Sequence, residues 1–134
     1  MRNCKIFLML ITASLVASFS SPEKINWDDL EGKWVNKTYN YDNGTDIYVK
    51  VKDLPLDKGG YQFEKDGILT VKQNSGWCGT PPIHYQTVTG TWKKVNDSVI
   101  HIDHRNWRGT VSKDLHIISL SKTEMVFKSY MQKQ

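Results

Sequence analysis

The stretch Trp34-Val35-Asn36-Lys37-Thr38-Tyr39-Asn40-Tyr41-Asp42-Asn43-Gly44-Thr45-Asp46-Ile47-Tyr48-Val49-Lys50-Val51 sets alternating side chains on either side of a tight-turn signal. Asn43-Gly44 tolerates the positive φ angles of a hairpin, so two antiparallel strands are expected to meet there. A two- or four-residue loop pairs Tyr41 with Asp46 and Tyr39 with Tyr48. One face then carries Trp34, Asn36, Thr38 and Asn40 against Ile47, Val49 and Val51. The other carries Val35, Lys37, Tyr39 and Tyr41 against Asp46, Tyr48, Lys50 and Lys52. The first face is read as the interior, because its partners are β-branched and the lysines lie on the second.

The same logic extends along the chain. Tyr61–Phe63 leads through Glu64-Lys65-Asp66-Gly67 into Ile68–Gln73, and a loop, Asn74–Pro82, precedes a long strand from Ile83 to Val95. A three-residue turn, Asn96-Asp97-Ser98, sets Val88 and Trp92 on one face with Ile100 and Ile102, which buries more apolar surface than a two-residue turn. Leu115–Ser121 turns at Lys122-Thr123 into Glu124–Met131, with Ile118 and Leu120 opposite Phe127 and Met125. Helical periodicity is confined to Asn26–Glu31, where Asn26 is a cap and Asp28 and Asp29 suit a helix N-terminus. Eight short strands of this kind define an all-β fold. Closing the sheet removes both exposed edges, so a single eight-stranded antiparallel up-and-down barrel is preferred to a sandwich.

The run Trp27-Asp28-Asp29-Leu30-Glu31-Gly32-Lys33-Trp34 places a helical turn before Gly-x-Trp at the start of the first strand. This resembles the opening motif of lipocalins, in which the tryptophan packs across the closed end of the barrel and the glycine turns the chain into the strand. Phe63–Gly67, Gly90-Thr91-Trp92 and Ile117–Leu120 look like small exported bacterial lipocalin-like domains. Two departures stand out. The Thr-Asp-Tyr motif has no convincing counterpart, only Asp103 in a similar loop setting. The arginine that closes over the tryptophan in typical lipocalins is missing too, the last strand offering only Lys128. The resemblance implies a small hydrophobic or amphipathic ligand held in the barrel. The inward polar set Asn36, Thr38 and Asn40 favours a cavity over an interior filled by side chains, since polar groups facing a dry core are costly. The expected ligand-binding residues are Trp34, Asn36, Thr38, Asn40, Val49, Trp77 and Trp92, with Gly32 and Trp34 as the structural motif.

Composition bounds the compartment and the partners. The chain has 134 residues and a net charge of +4, two of the positive charges being Arg2 and Lys5. These precede an uncharged, mostly apolar run, Ile6–Phe19, and the small residues Ser18 and Ser20. Residues 1–20 read as a cleaved signal peptide, the apolar run being too short to span a bilayer. Residues 21–134 are then one domain, expected in the periplasm or secreted, with no membrane span. Cys4 lies before the apolar run, not after it, so no lipid anchor is expected, and cleavage leaves Cys78 without an intramolecular partner. Charges alternate in sign, which excludes nucleic acid as the main partner. A monomer is expected.

Catalytic signatures are absent: the chain has no Gly-x-Ser-x-Gly, His-Glu-x-x-His or Cys-x-x-Cys. His101 and Asp103 share an outward strand face and His104 points away, so no metal site and no cofactor is expected. In the loop Trp77-Cys78-Gly79-Thr80-Pro81-Pro82, Trp77 either plugs a barrel end or stacks on a ligand at the mouth. The alternative to a ligand carrier is a solid barrel that binds an envelope or secreted protein through Tyr39, Tyr48 and the Arg105–Arg108 loop.

Overall fold

Asn26 accepts a hydrogen bond from the backbone N–H of Asp28 at 3.2 Å and starts a single 3-10 turn, Trp27–Leu30. Gly32, at φ 128°, then swings the chain into the first strand, a conformation that a side chain resists. The structure, a computed structural model, describes residues 24–75 and 83–132. The leader read over residues 1–20, and Trp77 and Cys78, lie outside the described residues. The strands are β1 Gly32–Asn40, β2 Thr45–Val51, β3 Gly60–Phe63, β4 Ile68–Asn74, β5 Tyr85–Lys94, β6 Val99–Asn106, β7 Gly109–Leu120 and β8 Glu124–Met131. Among the described residues no helix is long and apolar enough to cross a membrane.

All eight strands close into one antiparallel barrel, as the strand count implies. Its order departs from a strict up-and-down meander. From β3 to β8 neighbours follow the chain, but β1 lies between β2 and β3, and β2 pairs with β8. The link from β2 to β3 therefore crosses β1. Leu54 of that link lies against Gly60, where a Cβ would also come within 2.3 Å of the Trp34 carbonyl oxygen. Only glycine fits this approach.

The first hairpin corrects the expected register. Its loop is Tyr41–Gly44, pairing Asn40 with Thr45 and Tyr39 with Asp46. A β-bulge between Asn36 and Thr38 leaves Lys37 without a cross-strand partner, and beyond it Thr38 faces Ile47. One inserted residue reverses the in–out alternation of everything past it. Trp34 and Asn36 thus share the inner face with Lys50 and Tyr48, whereas Ile47, Val49 and Val51, expected inside, are turned away and only half-buried. Tyr48, expected outside, packs on Tyr61 and Phe127. A second bulge between Ile117 and Ser119 puts Ile117 opposite Phe127 and leaves Ile118 exposed, while Leu120 pairs with Met125 as expected. The turn between β5 and β6 pairs Trp92 with Ile102, the expected register.

The solid part of the core sits at the end where the chain enters. Leu30, Trp34, Phe63, Leu69, Ile100, Leu115, Met125 and Phe127 are buried there. The Trp34 indole N–H donates to the Leu30 carbonyl at 2.8 Å, and the Lys50 ammonium stands 4.9 Å from the ring centroid while donating to the Asp29 carbonyl at 2.7 Å. A cation does cover the tryptophan, but it comes from β2 instead of β8. Replacing Trp34 by Ala should destabilise the protein by about 3–5 kcal/mol, the usual cost of deleting a buried large aromatic. Equilibrium denaturant unfolding measures this; a loss below about 1 kcal/mol would show that Trp34 does not close the barrel.

Candidate functional site

Away from the tryptophan plug the interior turns polar. A cavity of about 350 Å³ lies between Asn36 of β1, Tyr48 of β2, Tyr61 of β3, Val71 and Gln73 of β4, His104 of β6, and Val111 and Lys113 of β7. Strand alternation aims these side chains inward from six of the eight strands. Tyr48 and Tyr61 stack with ring centroids 5.4 Å apart, and Tyr61 continues onto Phe63 at 5.8 Å. An aromatic column therefore joins the cavity to the closed end. Gln73 reaches across the opening to donate to the Arg105 carbonyl at 2.6 Å.

Electrostatics in the cavity are set by burial. Burial raises both tyrosine hydroxyls above their usual range; the Asp46 charge adds to this at both, while Lys113 and Asn36 oppose it at Tyr48 and the hydrogen bond with Tyr48 opposes it at Tyr61. Burial also raises the Asp46 carboxyl, opposed by Lys113 and by Asn36, whose amide donates to Asp46 Oδ1 at 3.4 Å. It lowers the Lys113 ammonium, against the pull of Tyr48 and Asp46. His104 is lowered too, by burial first, with the Arg105 carbonyl opposing and Lys113 reinforcing. The His104 Nδ1 must carry the proton, since its partner at 3.2 Å is that carbonyl oxygen. Nε2 is left as a buried acceptor with no partner among the described residues.

The residues expected to form the site separate in space. Asn36 lines the cavity. Trp34 lies in the plug, and Trp92 sits at the same end, its indole donating to the Glu64 carbonyl at 2.8 Å and its ring edge-on to Phe63. Thr38 is exposed, and Thr38, Asn40 and Val49 are carried off the inner face by the bulge or by its consequences for β2. Trp77 lies outside the described residues. Tyr61, His104 and Lys113 are not among the expected site residues, and Tyr48, expected on an outer protein-binding face, turns into the cavity instead. For Lys113 a signal existed: Val111, Lys113, Leu115 and Ile117 alternate, so a strand through them puts the lysine on an apolar face.

The histidine cluster faces the other way. His101 Nδ1 lies 2.6 Å from Asp114 Oδ1, and its Nε2 lies 3.0 Å from Ser112 Oγ and 3.1 Å from Asp103 Oδ2. These hydrogen bonds hold both carboxyls below their usual range, Ser112 acting most on Asp103 and His101 most on Asp114. The ring nitrogen that a nucleophilic Ser112 would need as base is shared with a carboxylate, which leaves the cluster a tie between β6 and β7.

A closed antiparallel barrel, plugged at one end and hollow at the other, defines a binding fold of the lipocalin kind. The model of the lipocalin-like domain family matches residues 30–127, and the chain belongs to that family. No curated protein and no solved structure matches the chain.

The neutral, buried state of His104 has a thermodynamic consequence. Its folded pKa is depressed, so the unfolded chain binds a proton first as pH falls below about 6.5. Stability should decline from that pH down to the folded value, and His104→Asn should flatten this part of the profile. Urea unfolding of both proteins at about pH 7.5 and about pH 5.5 measures it. Equal slopes would mean that His104 is not held neutral.

Proposed function

We propose that this protein is an exported, non-enzymatic carrier that holds one small amphipathic molecule in the mouth of its barrel. The observation that carries the reading is the cavity itself, which has the size of a small-molecule site and joins a tyrosine stack to a few polar groups. Family membership supports ligand binding in general. Export is supported by the charged start and short apolar run of residues 1–20.

A second reading, docking of an envelope or secreted protein, is favoured by one feature. Trp107 stands exposed in the turn between β6 and β7, with the Arg108 guanidinium 4.6 Å from its ring centroid. Trp and Arg are the residues most often found at interface hot spots. The turn adjoins the cavity wall through Asn106, so a partner there would also cover the mouth.

Native mass spectrometry of the protein purified from the envelope of its own host tests the main reading. A chain starting at Ser21 with one small molecule bound is expected, and Val111→Phe, which fills the cavity, should release that molecule. A ligand-free protein that also takes up no amphiphile on titration would sink the carrier reading. Retention of residues 1–20 would sink the export reading.

A further inference from the structure

Lys113 stands where the strand pattern calls for an apolar side chain. It shares its face of β7 with Val111 and Leu115, and it pairs across to Ile102 of the core. It lines the cavity, and among the described residues it is in no ion pair. The titratable groups around it are Tyr48, Tyr61, Asp46 and His104. Asp46 is hydrogen-bonded to Asn36 and is not part of the cavity wall. Burial therefore favours the neutral amine over the ammonium. An exposed lysine is an ammonium near neutral pH and has no lone pair to give, whereas a desolvated one is a nucleophile.

His104 adds a base to this amine. It lies opposite Val111, so it is diagonal to Lys113 across the β6–β7 ladder, a separation that long side chains span. Its Nδ1 proton is spent on the Arg105 carbonyl, and its Nε2 is a buried acceptor with no partner among the described residues. Tyr61, its ring centroid 5.7 Å from the Lys113 Nζ, brings a hydroxyl donor. Behind it the ring of Phe63 continues the apolar surface. At about 30 Å³ per water-sized group, the cavity of about 350 Å³ has room for on the order of ten non-hydrogen atoms.

We infer that the cavity captures a small aldehyde covalently, as an imine on Lys113, with the body of the aldehyde against the aromatic rings. The Lys113 nitrogen adds to the carbonyl carbon while the Tyr61 hydroxyl donates to the carbonyl oxygen. One proton of the amine passes by way of His104 Nε2 to that oxygen, giving a carbinolamine. The new hydroxyl leaves with the other amine proton as water, and the nitrogen lone pair closes the C=N bond. Nothing is oxidised or reduced, and the bond is reversed by water. This inference rests on the carrier reading, since it names the chemistry of the ligand in the same cavity.

Benzaldehyde and benzyl alcohol, alike in body but only the first with a carbonyl, separate the two. The full mature chain is incubated with benzaldehyde at neutral pH, reduced with cyanoborohydride and mapped by peptide mass spectrometry. Labelling at Lys113 should be about tenfold or more faster than at any other lysine or at the α-amino group, because the cavity holds the two reactants together. Its rate should level off at a lower pH than that of the surface lysines. Excess benzyl alcohol should suppress it, and Lys113→Arg, which keeps a cation but forms no imine, should abolish it and still bind benzyl alcohol on isothermal titration. Mapping on the unaltered chain decides the matter even if the variant does not fold. Labelling spread over surface lysines and the α-amino group, with Lys113 bare and benzyl alcohol bound, would overturn the imine and leave the carrier reading standing. A chain that takes up neither probe would overturn both.

Discussion

The hydrogen bond from the Trp34 indole to the Leu30 carbonyl ties the entry turn to the first strand, and the remainder of the barrel is arranged around it. The ring has no exposed surface, so its N–H needs a partner inside the protein, and the end of the 3-10 turn supplies one. Lys50 adds a second tie, lying over the ring while it binds the Asp29 carbonyl. One aromatic side chain therefore fixes the turn, β1 and β2 together. Because that end is filled by Trp34, Leu30 and Phe63, whatever room the barrel has must lie at the other end.

The bulge at Lys37 determines what that room looks like. Without it, the strand alternation that points Trp34 inward would also bring in Thr38, Asn40 and the β-branched residues of β2. With it, Asn36 and Tyr48 face the interior, and Thr38 faces outward. The result is a barrel with a dry end and a polar end. The rings of Tyr61 and Phe63, tilted against each other, bridge the two ends, so a bound molecule would meet aromatic surface on one side and hydroxyl, amide and ammonium groups on the other. The inverted first hairpin serves the same end, since it seats Tyr61 and Tyr48 on strands flanking β1 and lets their rings meet.

Much of this is legible from local pattern, and the failures share a cause. Asn26 announces the entry turn because capping is a local demand, and the resemblance of Gly32-Lys33-Trp34 to the lipocalin opening motif implies the plug. The Asn96–Ser98 turn and its register follow from the apolar residues of the two strands it joins, whereas at Lys122-Thr123 the turn and the Leu120–Met125 pair are legible but the bulge beyond them is not. Strand parity at the first hairpin failed because a bulge leaves no mark in composition; Lys37 looks like any surface lysine. Of the cavity residues Asn36 is legible in the sequence, and the others escape it for a related reason. Tyr48 and Lys113 have polar atoms, and reading polar residues as outward fails wherever an interior is hollow.

The sequence by itself determined that the chain is all-β, that its strands number eight and that Trp34 faces inward, which follow from side-chain period, turn chemistry and the cost of unpaired edges, all of which act between near neighbours. That this tryptophan closes one end is what the resemblance to lipocalins implies. Only the tertiary structure decided the order of the first three strands, the side of the sheet on which Tyr48 and Lys113 lie, and hence the character of the cavity. Those depend on contacts between residues distant in sequence, where one extra residue in one strand reverses the facing of every residue after it.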